Sequence, residues 1–267
     1  MALKEMKLAV IGTGNLGRSL VMGLLDAGIP PKNITATRRN ITALKDLSDK
    51  GIIVSDDNLG ATKTSDVIII AVKPYNYSEV LEEILPALGN SKKLLVSVVS
   101  GIGIQELKNS LPEFVPVFRA MPNTAADIKE SLTCISHEGE SDEDVNSVYE
   151  IFNAIGKTVE ISETLMNSAT VLGACGIAYV MRFIRAMVQG GIEIGFDAET
   201  ASTIVQQTVK GAATLLQERK NHPESEIDKV TTPKGCTIAG LNEMEHHGFS
   251  SALIKGLKAS MGQIEEK

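Results

Sequence analysis

Gly12-Thr13-Gly14-Asn15-Leu16-Gly17 is a complete GxGxxG, and its setting constrains the fold more than any other segment. A short apolar run, Lys7–Ile11, enters it and suits a strand buried on both faces. A helical pattern leaves it. Residues 15–27 carry Leu16, Leu20, Val21, Leu24 and Leu25, and Gly28 closes the run. Strand, glycine turn and helix in that order open a βαβ unit. In it Gly12 permits the tight turn, Gly14 lets backbone approach a pyrophosphate, and Gly17 lets helix pack on strand. The helix N-terminus then presents N–H groups and partial positive charge to phosphates.

The alternation continues. Strands are predicted over 34–37, 52–54, 67–72, 94–99, 115–120 and 132–136, and helices over 42–50, 77–88 and 105–111. Strands alternating with helices imply parallel units wound right-handedly. Beyond residue 160 the pattern is helical only, over 162–190, 198–220 and 238–267, with a polar break at His222–Ser225. At roughly 150 residues per domain, the 267 residues divide into a sheet domain, 1–160, and a helical domain, 161–267. The fold class is α/β: a doubly wound parallel sheet followed by an all-α domain. Gly/Ala-rich apolar faces at 171–178 and 211–213 allow close helix contact, and a second copy is expected to complete them as a homodimer.

Composition narrows the function. The net charge is −7, from 33 acidic and 26 basic residues, and there is no Lys/Arg tract, so nucleic acid and anionic membranes are poor partners. Trp is absent and aromatics are 4%, which disfavours stacking on bases. Cys134, Cys175 and Cys236 form no CxxC, which argues against a disulfide framework or a metal site and for a reducing, cytoplasmic compartment. The N-terminus shows no signal pattern. The most apolar stretch, Leu165–Val188, contains Asn167, Arg182 and Arg185 and reads as a buried helix of a soluble protein rather than a membrane span.

An Asp or Glu at the end of the second strand would hold the ribose 2′-OH of NAD. This chain has Thr37-Arg38-Arg39-Asn40 there. Two guanidiniums and a hydroxyl suit a 2′-phosphate, so NADPH is the expected cofactor, with NADH as second choice. Ala71-Val72-Lys73-Pro74 ends a buried strand at the edge where open α/β sheets bind ligands, and Asn58 precedes it in a polar loop. Val96-Ser-Val-Val-Ser-Gly101 and Arg119-Ala-Met-Pro-Asn123 end the next two strands. Far downstream, Thr231 and Thr232 before Pro233 read as a helix start, where exposed N–H groups and hydroxyls suit a small carboxylate; the plainer reading is a capped helix alone.

Together these segments resemble the pyrroline-5-carboxylate reductase family along essentially the whole chain, most specifically in Val230-Thr-Thr-Pro-Lys-Gly-Cys-Thr-Ile-Ala-Gly-Leu-Asn-Glu-Met-Glu245. The resemblance implies a Rossmann-type domain and a helical dimerisation domain, often assembled as a ring of dimers. It also implies reduction of 1-pyrroline-5-carboxylate to L-proline, the last step of proline biosynthesis. Cofactor contacts carry over to Gly12, Thr13, Gly14, Asn15, Leu16, Arg38, Asn58, Ala71, Val72, Lys73 and Pro74, with Ser100 near the nicotinamide and Lys229 near the cofactor. Thr37 and Arg39 join them from the charge argument above. The loop Thr232–Thr237, with Gly235, Cys236 and the Thr237 hydroxyl, would hold the substrate carboxylate, and Thr237 is the catalytic candidate. Glu163 is a further candidate, reaching the imine nitrogen.

Two departures bear on the pocket. The family's usual SGSGPAY reads Gly173-Ala-Cys-Gly-Ile-Ala-Tyr179, and its usual SPGGTT reads Thr232-Pro-Lys-Gly-Cys-Thr237, with Lys234 in place of a glycine. Reductases of another small cyclic imine acid, and a non-catalytic NADP-binding protein, therefore stay open at this point. No histidine reads as catalytic: His137, His222, His246 and His247 all sit in polar sequence, and Tyr179 reads as a packed helix residue. No metal site is expected.

Overall fold

The computed structural model describes residues 3–89 and 92–265. The chain divides into two compact units, Met1–Ala174 with Ile264–Lys267, and Cys175–Gln263.

The first unit is built on an eight-stranded sheet in the order β3-β2-β1-β4-β5-β6-β7-β8. Its strands are β1 (Leu8–Ile11), β2 (Ile34–Thr37), β3 (Ile53–Ser55), β4 (Val67–Ile70), β5 (Leu94–Ser97), β6 (Val117–Met121), β7 (Ser131–His137) and β8 (Gly156–Glu160). All four residues of β1 are fully buried, at roughly 1.5–3 kcal/mol for each large aliphatic side chain. Successive side chains point to opposite faces. Leu8, Val10, Val67 and Ile69 therefore enter one core, and Ala9, Ile11, Ile68 and Ile70 the other. These continuous apolar strands need helices on both sides, which is the doubly wound arrangement.

Register positions the functional edge. Ile11 pairs with Thr37 on one side and Ile70 on the other, so Gly12, Arg38 and Ala71 emerge together at the carboxyl ends, where the strand order reverses. The helix Asn15–Asp26 follows, buries Leu20, Val21 and Leu24, and stops before Gly28 at φ +88°.

Several expectations need correction. β7 runs antiparallel to β6, because the link 122–130 holds only the short turn Thr124–Ile128 and a parallel crossover needs a dozen or more residues. Asn58 opens the helix Asn58–Thr64 instead of lying in a loop, with Asp57 Oδ1 accepting the Gly60 N–H at 2.8 Å. The helix Asp142–Asn153 and strand β8 were not predicted.

The second unit contains the helices Gly176–Glu193, Ala198–Arg219, Pro223–Lys229 and Cys236–His246, and most of Phe249–Glu265. The run predicted over 162–190 is broken by a π-helical turn at Thr170–Cys175. The run predicted over 238–267 is broken at Gly248, φ +76°, and its last two residues lie outside the described residues. The apolar stretch Leu165–Val188 was read as buried. Met166, Thr170 and Val171 are, but Gly176–Glu193 buries no residue within one chain. By length and composition Glu163–Glu193 is apolar enough to cross a membrane.

Candidate active site

The glycine loop is fixed by its neighbours. Gly12 adopts φ +92°, and a Cβ there would lie 2.6 Å from Val72 Cγ1 and 2.9 Å from the Val72 nitrogen. No other residue fits that approach. Gly12 and Thr13 donate their N–H groups to the Thr37 carbonyl at 3.2 and 2.8 Å, which ties the loop to the end of β2. Gly14 is the N-cap of the helix Asn15–Asp26 and has no side chain to satisfy its first N–H groups, while a Cβ on Gly14 would meet nothing within 4 Å. The helix thus starts in open space with its unpaired donors forward.

That space is a cleft of about 700 Å³. Its lining includes Gly12, Thr13, Gly14, Asn15, Leu16, Thr37, Arg38, Arg39, Asn58, Ala71, Val72, Lys73, Pro74 and Ser100, so the structure brings together every sequence-predicted cofactor residue of the first unit. Ile11, Asn40, Asn76, Val80, Val98 and Thr124 complete the polar and apolar wall and lie outside the sequence expectation; of these only Asn40 and Asn76, close to the arginines and the AVKP run, carry a sequence signal. The lining carries Arg38, Arg39 and Lys73 and, among the described residues, no carboxylate. A cationic cleft in a chain of net charge −7 favours an anionic ligand. Arg38 Nη1 donates to the Thr13 carbonyl at 3.4 Å. The Thr37 hydroxyl donates to Asn58 Oδ1 at 2.6 Å, and Asn58 Nδ2 donates to Glu83 at 2.8 Å.

The RAMPN segment is a brace. Arg119, 6% exposed, pairs with Glu163 Oε1 at 3.0 Å, and the same oxygen accepts the Ile104 N–H at 2.5 Å. Within the first unit Glu163 is thus a brace, this oxygen holding β6 to the segment following Ser100. Buried Asn123 accepts from the Ala125 N–H at 3.0 Å and donates through Nδ2 to the Gly173 carbonyl at 3.2 Å, in the π-helical turn. His137 is also unlike its sequence setting. Its side chain is largely buried, with its ring 5.5 Å from Phe118.

In the second unit, the turn Thr232–Gly235 precedes the helix Cys236–His246, which begins three residues later than the Thr-Thr-Pro signal suggested. The Gly235 N–H donates to the Thr232 carbonyl at 2.9 Å. Lys234 sits at φ +61°, a left-handed conformation, at the position where the family's usual loop has glycine. Gly235 caps the helix without a side chain, so its first N–H groups are again free for an anion, with half-buried Thr237 in the first turn and Cys236 exposed. The Lys229 ammonium donates to Glu226 at 2.5 Å within the second unit. The Tyr179 hydroxyl lies 2.5 Å from Ser260 Oγ, as for a packed helix residue. Among the described residues no His, Cys, Asp and Glu group of three or more is placed to hold a metal.

Residues 163–267 match the family model for pyrroline-5-carboxylate reductase dimerisation, and residues 7–101 match that for the NADP oxidoreductase coenzyme F420-dependent family. Pyrroline-5-carboxylate reductase 2 of Dictyostelium discoideum is 43% identical, over 95% of this chain and 90% of that protein. Pyrroline-5-carboxylate reductase 1 of the same organism is 43% identical over 97% of this chain, which spans 49% of that protein's length. The crystal structure of Plasmodium falciparum pyrroline carboxylate reductase with NADP bound superimposes with a TM-score of 0.90 at 26% identity, covering 99% of both chains.

Proposed function

Because this chain belongs to the pyrroline-5-carboxylate reductase family, we propose that it reduces 1-pyrroline-5-carboxylate to L-proline with NADPH, the closing step of proline biosynthesis. The observation that carries this reading is the cationic cleft, with its uncapped helix and paired arginines. Its residues fit the cofactor. The N–H groups of Asn15 and Leu16 would receive the pyrophosphate, and Arg38 and Arg39 the 2′-phosphate. Asn58 and Ala71–Pro74 would line the nucleotide, with Ser100 toward its nicotinamide, since all of them line the cleft. When bound, NADPH supplies the hydride.

The residues of the chain do the positioning. The turn Thr232–Thr237, through its N–H groups and the Thr237 hydroxyl, anchors the substrate carboxylate and so sets the angle of the C=N carbon. The substrate brings its own proton on the imine nitrogen, or takes it from water, so no strongly acidic side chain is needed. The Thr237 hydroxyl hydrogen-bonds the substrate.

The assembly is a homodimer, with a ring of dimers as its higher state. Exposed Val180, Met181, Phe183 and Met187 on the helix Gly176–Glu193 support this, because so many apolar side chains on one helix need a partner surface. Free Cys134, Cys175 and Cys236 support a cytoplasmic location. The net charge of −7 without a Lys/Arg tract disfavours nucleic acid and anionic membranes as partners.

The test is NADPH oxidation by the purified chain with 1-pyrroline-5-carboxylate, and in parallel with the six-membered cyclic imine acid. The altered segment 173–177 and Lys234 make the second substrate the informative comparison. Faster turnover of the five-membered ring supports the reading; turnover of the larger ring alone assigns another imine reductase; no turnover of either overturns it.

A further inference from the structure

Arg38 and Arg39 follow β2 in succession but take different partners. Arg38 stays beside the glycine loop, on the Thr13 carbonyl. Arg39 Nη2 lies 2.8 Å from Glu79 Oε2 and 3.4 Å from Asn76 Oδ1. Asn76 immediately precedes the helix Tyr77–Leu88, and Glu79 lies in its first turn. Arg39 and Asn76 both line the cleft, so the Arg39–Glu79 pair bridges the segment after β2 to the segment after β4.

We propose that Glu79 is a specificity-determining residue of the cofactor site: its carboxylate competes with the 2′-phosphate of NADPH for the Arg39 guanidinium and holds down the discrimination between NADPH and NADH. This rests on the cofactor reading above. Glu79 and Asn76 both take Arg39 through Nη2, so a phosphate approaching that end of the guanidinium displaces them, and one approaching the other edge meets a cation already partly neutralised by the carboxylate. NADH carries no 2′-phosphate, and its binding leaves the pair intact. Both side chains are more than two-thirds exposed, at 73% and 71%, so the pair opens readily and tunes binding rather than blocking it.

The test is equilibrium titration of NADPH and NADH into the intact protein and its Glu79→Gln, Arg39→Ala and doubly substituted forms. Glu79→Gln is expected to tighten NADPH about threefold, in the range of an exposed ion pair, with the NADH constant serving as the internal control for folding. In the Arg39→Ala background, Glu79→Gln is expected to change nothing. Equal shifts for both nucleotides, or a tightening that persists without Arg39, overturns the competition. A wild-type chain that binds neither nucleotide removes the cofactor reading and the inference with it. A chain that binds NADPH with no response to Glu79→Gln removes the inference alone.

Discussion

Arg119 and Glu163 meet at 3.0 Å with only 7% and 24% of their side chains exposed, joining β6 to a residue that follows β8. The shared Oε1 also takes the Ile104 N–H. Removing one partner of such a pair leaves the other charge uncompensated, so Glu163→Ala is expected to cost roughly 3 kcal/mol. Glu163→Gln keeps an acceptor and is expected to cost about half of that. Urea unfolding measures both, and a Glu163→Ala midpoint equal to wild type contradicts the brace. A brace also leaves the pH profile of kcat/KM unchanged in Glu163→Gln, whereas a proton donor at the imine would not.

Gly12 and Gly14 separate folding from binding. Gly12→Ala forces a Cβ against Val72 and a side chain onto a positive φ, so the melting temperature is expected to fall by several degrees, corresponding to about 1–3 kcal/mol. Gly14→Ala meets open space, so stability is expected to hold while NADPH affinity falls, because the added methyl occupies the path of the pyrophosphate. Calorimetry and nucleotide titration on the two variants decide it. A Gly14→Ala chain that binds NADPH as wild type does places the phosphates elsewhere.

β1, β2, β4, β5 and β6 are legible because every residue in them is buried, which makes each a continuous apolar run or nearly so. β2 and the helix Tyr77–Leu88 match their sequence signals to the residue. The helix Asp142–Asn153, outside the sequence expectation, does carry a start signal and an apolar face: Ser141 followed by Asp142, Glu143 and Asp144, then Val145, Val148, Ile151 and Phe152 at helical spacing. The strand β7 is legible at 132–136 but its direction is not in the residue pattern; only the short link 122–130 encodes it. The Arg119–Glu163 and Arg39–Glu79 pairs were illegible for a different reason: their partners lie 44 and 40 positions apart, and charge alone does not choose among the many acids of an acidic chain.

Lys234 stores strain in the turn that is proposed to hold the substrate. A non-glycine residue at φ +61° costs roughly 1 kcal/mol. Lys234→Gly is expected to raise the melting temperature, and Lys234→Val to lower it, with circular dichroism as the readout; the reverse order contradicts the left-handed geometry. Thr237→Val, in the next turn of chain, is expected to lower kcat/KM by about tenfold or more, as for loss of a hydrogen bond to a charged group. Unchanged kinetics removes Thr237 from the site.

Glu226 gathers Asn221 Nδ2, the Lys229 ammonium and the Arg219 guanidinium at 2.6, 2.5 and 2.8 Å. The Asn221 hydrogen bond first, then those from Lys229 and Arg219, hold its carboxyl down at about 2, against an ordinary 4.5. A pKa depressed on folding stabilises the native state fully above 4.5, and that contribution is lost as pH falls toward 2. Carbon-detected NMR titration is expected to show Glu226 still ionised at pH 3.5, between those two values. A midpoint near the ordinary value means that the cluster, and the engagement of Lys229 in it, does not persist in solution.

The most direct measurement follows the hydride. NADPH bearing deuterium at both C4 positions, incubated with the chain and 1-pyrroline-5-carboxylate, is expected to yield L-proline with a single deuterium on C5, the former imine carbon. Proline without deuterium, or NADPH left unconsumed beside unreacted imine, contradicts the account.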